Sequence, residues 1–140
     1  MLAKVLPLLS IVVQLFWMFV FTLASPPLLV LKHDTPADAK FIRNLFNVYY
    51  VVLMALATLA AAACAYLERT GLAYAMGGLV VFVFSVRLLF ISNMDRLRGV
   101  MLGGDSGAVR KFRRLHIAGI LLNVLQLGTV AWGMTRLVTA

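Results

Sequence analysis

The chain has 140 residues, of which 63% are hydrophobic and only 13% charged, with a formal net charge of +8 and a mean hydropathy of +0.98. A soluble globule of this length needs far more polar surface, so the composition excludes a water-soluble domain and asks for lipid as the solvent. One domain, residues 1–140, is expected, with no room beside it for a separate soluble catalytic unit.

A helix crosses a hydrocarbon core about 30 Å thick with about 20 apolar residues, and four stretches qualify: about 5–31, 41–67, 71–92 and 115–138. No stretch alternates with the period of two that a barrel strand needs. The expected fold is therefore all-α, an integral membrane four-helix bundle.

The first span, "VLPLLSIVVQLFWMFVFTLASPPLLVL", follows Lys4 and superficially resembles a leader peptide. Its apolar character continues past Pro26 and Pro27 to Leu31, which favours a retained helix over a cleaved one. Each proline removes a backbone donor, so the pair must break or kink the inner end of that helix. Gln14, within the span, is expected to hydrogen-bond to another helix. The connection "KHDTPADAK" has turn chemistry at Asp34, Thr35 and Pro36, and Asp38 is expected to cap the second helix.

In the second span, Tyr49 and Tyr50 are expected in an aromatic belt near one interface, with Trp132 of the fourth span in the opposite belt. Ala57 and Ala61, like Ala73 and Gly77 of the third span, have small-xxx-small spacing and predict close helix packing. Cys64, the only cysteine, reads as a small packed residue without a disulfide partner. The third span carries Arg87 and is expected to continue as helix beyond the membrane. "LGGDSGAVRKF" breaks the chain at Gly103-Gly104, after which Asp105 or Ser106 starts a helix running into the fourth span.

Charge orients the four spans. Lys32, Lys40 and Arg43, with Arg96, Arg98, Arg110, Lys111, Arg113 and Arg114, place nine cations on one side, against Lys4, Arg69 and Arg136 on the other. The positive-inside rule then puts both termini on the non-cytoplasmic side, as in a bacterial inner membrane. The basic cluster Arg110, Lys111, Arg113 and Arg114 would meet anionic lipid headgroups. Nucleic acid is not an expected partner, because the cations hug helix ends. Other membrane subunits or further copies of the chain are.

The polar residues of the fourth span are the candidates for chemistry. At 100° per residue, His116, Gly119, Asn123 and Gln126 fall on a face about 80° wide, which must point into the bundle. Such a stripe either glues helices together or lines a ligand site or polar path. His33 is the other histidine, at the same membrane level as His116. It is either an interfacial loop residue or, with His116, a ligand of haem b or a metal ion. Arg87 either snorkels to the interface or binds an anion through its planar guanidinium. There is no H-E-x-x-H, C-x-x-C, phosphate-cradling glycine loop or G-x-S-x-G, and no acid within a span.

The segment "FRRLHIAGILLNVLQLG" resembles the last helix of a bacterial four-helix membrane family of unknown function, with eukaryotic relatives linked to platinum-drug tolerance. That helix reads approximately F-x-R-L-H, a small residue, L-N and Q-L, positions held here by Phe112, Arg114, Leu115, His116, Leu122, Asn123, Gln126 and Leu127. "FTLASPPLLVL" is similar to the family's F-(x)n-P-x-L exit from the first helix. The wider superfamily resembles copper-resistance membrane proteins and the haem-binding four-helix protoporphyrinogen oxidase. Against the latter's P-R-L-F-V-Y-H motif, "PPLLVLKH" keeps Pro27, Leu29 and His33 but has Leu28 in place of the arginine. The oxidase's other histidine, near the start of its first helix, has no counterpart.

Three functions follow as expectations. The first is a membrane protein without its own catalytic constellation, an accessory or assembly subunit or a small-ligand-binding protein of a membrane complex. The second is a haem- or metal-binding redox protein using His33 and His116, with Arg87 on a ligand carboxylate. The third is a small transporter with the Asn123/Gln126 stripe along its path. Whether the chain is an enzyme stays open at this point.

Overall fold

The computed structural model describes residues 2–139 apart from Lys32 and Asp34, and the side chains of 5–135. The turn chemistry expected at Asp34 and the cations Lys4, Lys32 and Arg136 lie outside that description. Four helices follow one another: α1 (Leu2–Ala24), α2 (Pro36–Tyr66), α3 (Thr70–Leu102) and α4 (Ser106–Thr139), with a 3-10 turn, Pro26–Val30, after α1. All four are long and apolar enough to cross a membrane. The protein is a multi-pass, all-α membrane protein.

Local chemistry sets the ends. α1 stops at Ala24 because Pro26 and Pro27 lack the N–H groups that would continue its ladder, and the chain tightens into the 3-10 turn. α2 starts at Pro36, where a proline suits a first helical position. Its cap is Thr35, whose hydroxyl accepts from the Asp38 backbone N–H at 3.1 Å. Asp38 is therefore in the first turn, not the capping position, and its charge faces the positive end of the helix. α3 ends at Gly103, followed by Gly104 at φ 84°, a left-handed conformation that suits a residue without a Cβ. The Asp105 carboxylate then accepts from the Gly107 N–H at 2.7 Å and caps α4.

α3 and α4 extend well past the apolar segments. α3 runs on to Leu102, carrying Asp95, Arg96 and Arg98, and α4 begins at Ser106, so that Arg110, Lys111, Arg113 and Arg114 ride exposed on a helix. At 1.5 Å per residue, helices of 33 and 34 residues are about 50 Å long, more than a hydrocarbon core needs. The surplus stands at one end of the bundle, the basic end. There Arg43 of α2 grips Asp95 of α3 with two bonds, 3.0 Å from Nε and 2.8 Å from Nη2, and Arg98 adds a third contact at 3.4 Å.

α2 pairs most extensively with α3, then with α1, while α3 and α4 touch less. Phe46 is central to the core: its ring meets Phe21 edge-on and neighbours Tyr50 and Phe90. Tyr49 and Tyr50 are buried in this core, not placed in an interfacial belt. Their rings pack on Phe21 and Phe90, which takes more apolar area from lipid than a headgroup position would. Trp132 is exposed. Large apolar side chains such as Phe16, Leu59, Leu121 and Leu125 point outward, as a lipid-solvated surface requires.

Close packing uses some of the expected small residues. Ala57 is fully buried and Ala61 and Ala73 are half-buried. A Cβ on Gly119 would overlap the Phe46 ring, so this glycine is what lets α4 approach α2. Gly77 is different: a Cβ there meets nothing within 4 Å, so its smallness serves no contact within the chain.

Candidate functional site

The break between α1 and the 3-10 turn creates the most polar part of the interior. Ser25 sits at that break with its backbone N–H bonded to Phe21 O, and its side chain turns inward, fully buried. Opposite it, α4 presents His116. The Ser25 hydroxyl lies 3.1 Å from His116 Nε2, and His33 Nε2 lies 3.0 Å from His116 Nδ1. Both imidazoles have 0% exposure, and the His116 ring stands edge-on to Phe46. His33 is thus a buried residue of the loop between the 3-10 turn and α2, not an exposed one at the interface. Its backbone takes φ 60°, a left-handed conformation that disfavours a Cβ by roughly 1–2 kcal/mol, so the surrounding contacts must hold it there.

A neutral imidazole has one N–H and one lone pair, and both His116 nitrogens are engaged. Two tautomeric chains satisfy the three groups. In one, Ser25 donates to Nε2 and His116 Nδ1–H donates to His33. In the other, His33 Nε2–H donates to Nδ1 and His116 Nε2–H donates to Ser25. Serine, imidazole and an orienting third group also form the connectivity of an activated nucleophile. Here all three are fully buried inside the bundle.

The pair does not fit the axial ligation of a haem as it stands. An imidazole binds a metal from about 2 Å, so two axial ligands of one iron stand about 4 Å apart with the macrocycle between them. These nitrogens are 3.0 Å apart, with one ring's N–H spent on the other's lone pair. The rings are packed between Phe46 and Phe112, which leaves no slot for a macrocycle. Among the described residues no cluster of three or more His, Cys, Asp or Glu is placed to hold a metal ion.

One to two turns further from the basic end, Asn123 joins three helices. Its amide N–H groups donate to Met18 O at 3.2 Å and to the Thr22 hydroxyl of α1, and its oxygen accepts from the Tyr49 hydroxyl of α2. This part of the expected polar stripe is packing glue. Gln126, further along the stripe, is only 5% exposed, yet neither amide atom has a hydrogen-bond partner among the described residues. Gln14 of α1 is fully buried and in the same condition, contrary to the expectation that it bonds across to another helix. Gln126 lines a cavity of about 170 Å³ between α3 and α4, next to a larger one of about 380 Å³ further out.

Arg87 is half-buried and donates from Nε and Nη2 to Asn47 Oδ1, at 3.1 and 2.8 Å. Its guanidinium is therefore held laterally by α2, and no carboxylate pairs with it among the described residues. Within the exposed basic cluster, Arg113 also reaches back to Leu29 O at 3.2 Å and so braces the 3-10 turn. Sequence reading missed Ser25, Thr22, Tyr49 and Asn47. The available signal was modest: a serine immediately before two prolines, where the helix must end.

Fold and interior together define a four-helix membrane protein with a buried polar centre and two buried amides that have no hydrogen-bond partner among the described residues. No protein-family model, curated protein or solved structure matches the chain.

Proposed function

We propose that this chain is a non-catalytic, multi-pass protein of a bacterial inner membrane that binds a small lipid-soluble ligand inside its helix bundle. One observation carries the reading: toward the basic end Ser25, His116 and His33 bond to one another, whereas Gln126 lies buried against a cavity with no hydrogen-bond partner among the described residues. Lipid offers an amide no hydrogen bonds, so a guest molecule with a polar group is the natural complement. The nine cations at the basic end favour a cytoplasmic position for it and external termini. The resemblance of "FRRLHIAGILLNVLQLG" to a bacterial membrane family of unknown function is compatible with this reading and does not narrow it further.

Native mass spectrometry of protein released gently from its own membrane tests it. A bound species of a few hundred daltons is expected on the wild type and not on a Gly133→Leu variant, because Gly133 lines the larger cavity and a Cβ there meets nothing within 4 Å. A bare chain in both would overturn the reading.

A second reading, an accessory subunit of a membrane complex, is favoured by Arg87. A charged group in an apolar span, paired only with a neutral amide, keeps an unspent attraction for an anion such as a carboxylate on a neighbouring subunit. Arg87→Gln should then release a co-purifying subunit that Arg87→Lys retains in part. A wild-type protein that is strictly monomeric and partner-free after mild extraction would count against this reading.

A further inference from the structure

The hydrogen bonds between α1 and α4 set an antiparallel register. Ser25 meets His116 and Met18 meets Asn123, so the same register places Gln14 at the level of Gln126. At that level the bundle changes character, from paired polar groups to two buried amides without partners among the described residues. Gln126 opens onto the smaller cavity, which shares Leu79, Phe82, Thr129 and Val130 with the larger one, so the two lie side by side along α3 and α4. The larger cavity, about 380 Å³, falls in the range of small-molecule sites. Two aromatic rings, Phe82 and Trp132, border it, and at Gly78 and Gly133 a Cβ would meet nothing within 4 Å.

The chemistry of this lining selects a ligand. Among the described residues no charged side chain borders either cavity, so a carboxylate or an ammonium would lie there uncompensated. The Thr129 hydroxyl donates to Leu125 O, at 2.9 Å, and so offers a guest only acceptor capacity, whereas the buried Gln126 amide has both a donor and an acceptor unengaged among the described residues. An amide presents one acceptor and a donor side by side. An ether or an isolated carbonyl satisfies only the donor. A hydroxyl satisfies both, donating to Oε1 and accepting from Nε2.

We propose that the space between α3 and α4 binds an uncharged, lipid-soluble molecule bearing a hydroxyl group, with the hydroxyl on the Gln126 amide and the apolar body between Phe82 and Trp132. This rests on the ligand-binding reading above and names the ligand's class. The ligand reaches the site from the bilayer, through the loose contact between α3 and α4.

The test uses the full chain in phosphatidylcholine nanodiscs, with tritiated 4-hexylphenol as probe and 4-hexylanisole, the same skeleton with its hydroxyl blocked, as competitor. Saturable binding of the phenol is expected, with the anisole competing about tenfold more weakly, the effect of one or two hydrogen bonds. Gln126→Leu should weaken phenol binding by a similar factor and erase the preference over the anisole. Gly133→Leu should weaken both compounds by filling the apolar part of the site, and this holds even if the Gln126 variant does not fold. Equal affinity for phenol and anisole in the wild type would overturn the hydroxyl assignment while leaving a ligand-binding protein. Binding that ignores Gly133→Leu would overturn the location. An absence of saturable binding by either compound would remove the ligand-binding reading as well.

Discussion

A His116→Leu variant is expected to lose about 2–4 kcal/mol of stability, read from unfolding in mild detergent. Leucine nearly matches the volume of histidine, so the loss comes from hydrogen bonding and not from a cavity. The substitution removes two buried bonds at once, to Ser25 Oγ and to His33 Nε2, and puts an apolar side chain against both atoms. It also removes a contact that helps keep His33 in its left-handed conformation, so the loop between the 3-10 turn and α2 should loosen with it. Ser25→Ala deletes only one bond and should cost about 1 kcal/mol. A His116→Leu protein as stable as the wild type would mean that the histidine pair does not hold α1 against α4.

Asn123→Leu should be of similar size, about 2 kcal/mol, because polar contacts between membrane helices are worth roughly 0.6–2 kcal/mol each and this amide makes three. The leucine also leaves the Tyr49 hydroxyl without its acceptor. Tyr49→Phe alone should destabilise less, and the double variant should fall short of the sum of the two, since both delete the same Tyr49–Asn123 bond. Strict additivity in that cycle would show that the bond contributes nothing to holding α2 against α4.

The two variants probe different parts of one seam between α1 and α4. Near the basic end the seam is closed by Ser25, His116 and His33, and at mid-depth by Asn123, Thr22 and Tyr49. Beyond Asn123 it carries Gln14 and Gln126, without hydrogen-bond partners among the described residues, and Gln126 borders the cavity. Arg87 is not part of this seam: it lies against α2 through Asn47.

Much of this architecture was legible in the chain. The number of spans follows from apolar length, and the end of α1 from Pro26 and Pro27. The inward face of α4 follows from the spacing of His116, Gly119, Asn123 and Gln126, all of which are buried. These features depend on residues within a few turns of one another, and helical periodicity reports on that range directly. The partners do not. His116 meets Ser25 and His33 across 91 and 83 residues of chain, and Asn123 meets Tyr49 across 74. Those pairings depend on the relative sliding and rotation of whole helices, set by how Phe46 seats against Gly119 and the rest of the core. The same packing took Tyr49 and Tyr50 out of the interface, set His33 and His116 within hydrogen-bond distance and left Gln14 and Gln126 without hydrogen-bond partners among the described residues. Local spacing decides which side of a helix faces inward; only the packed bundle decides what that side meets.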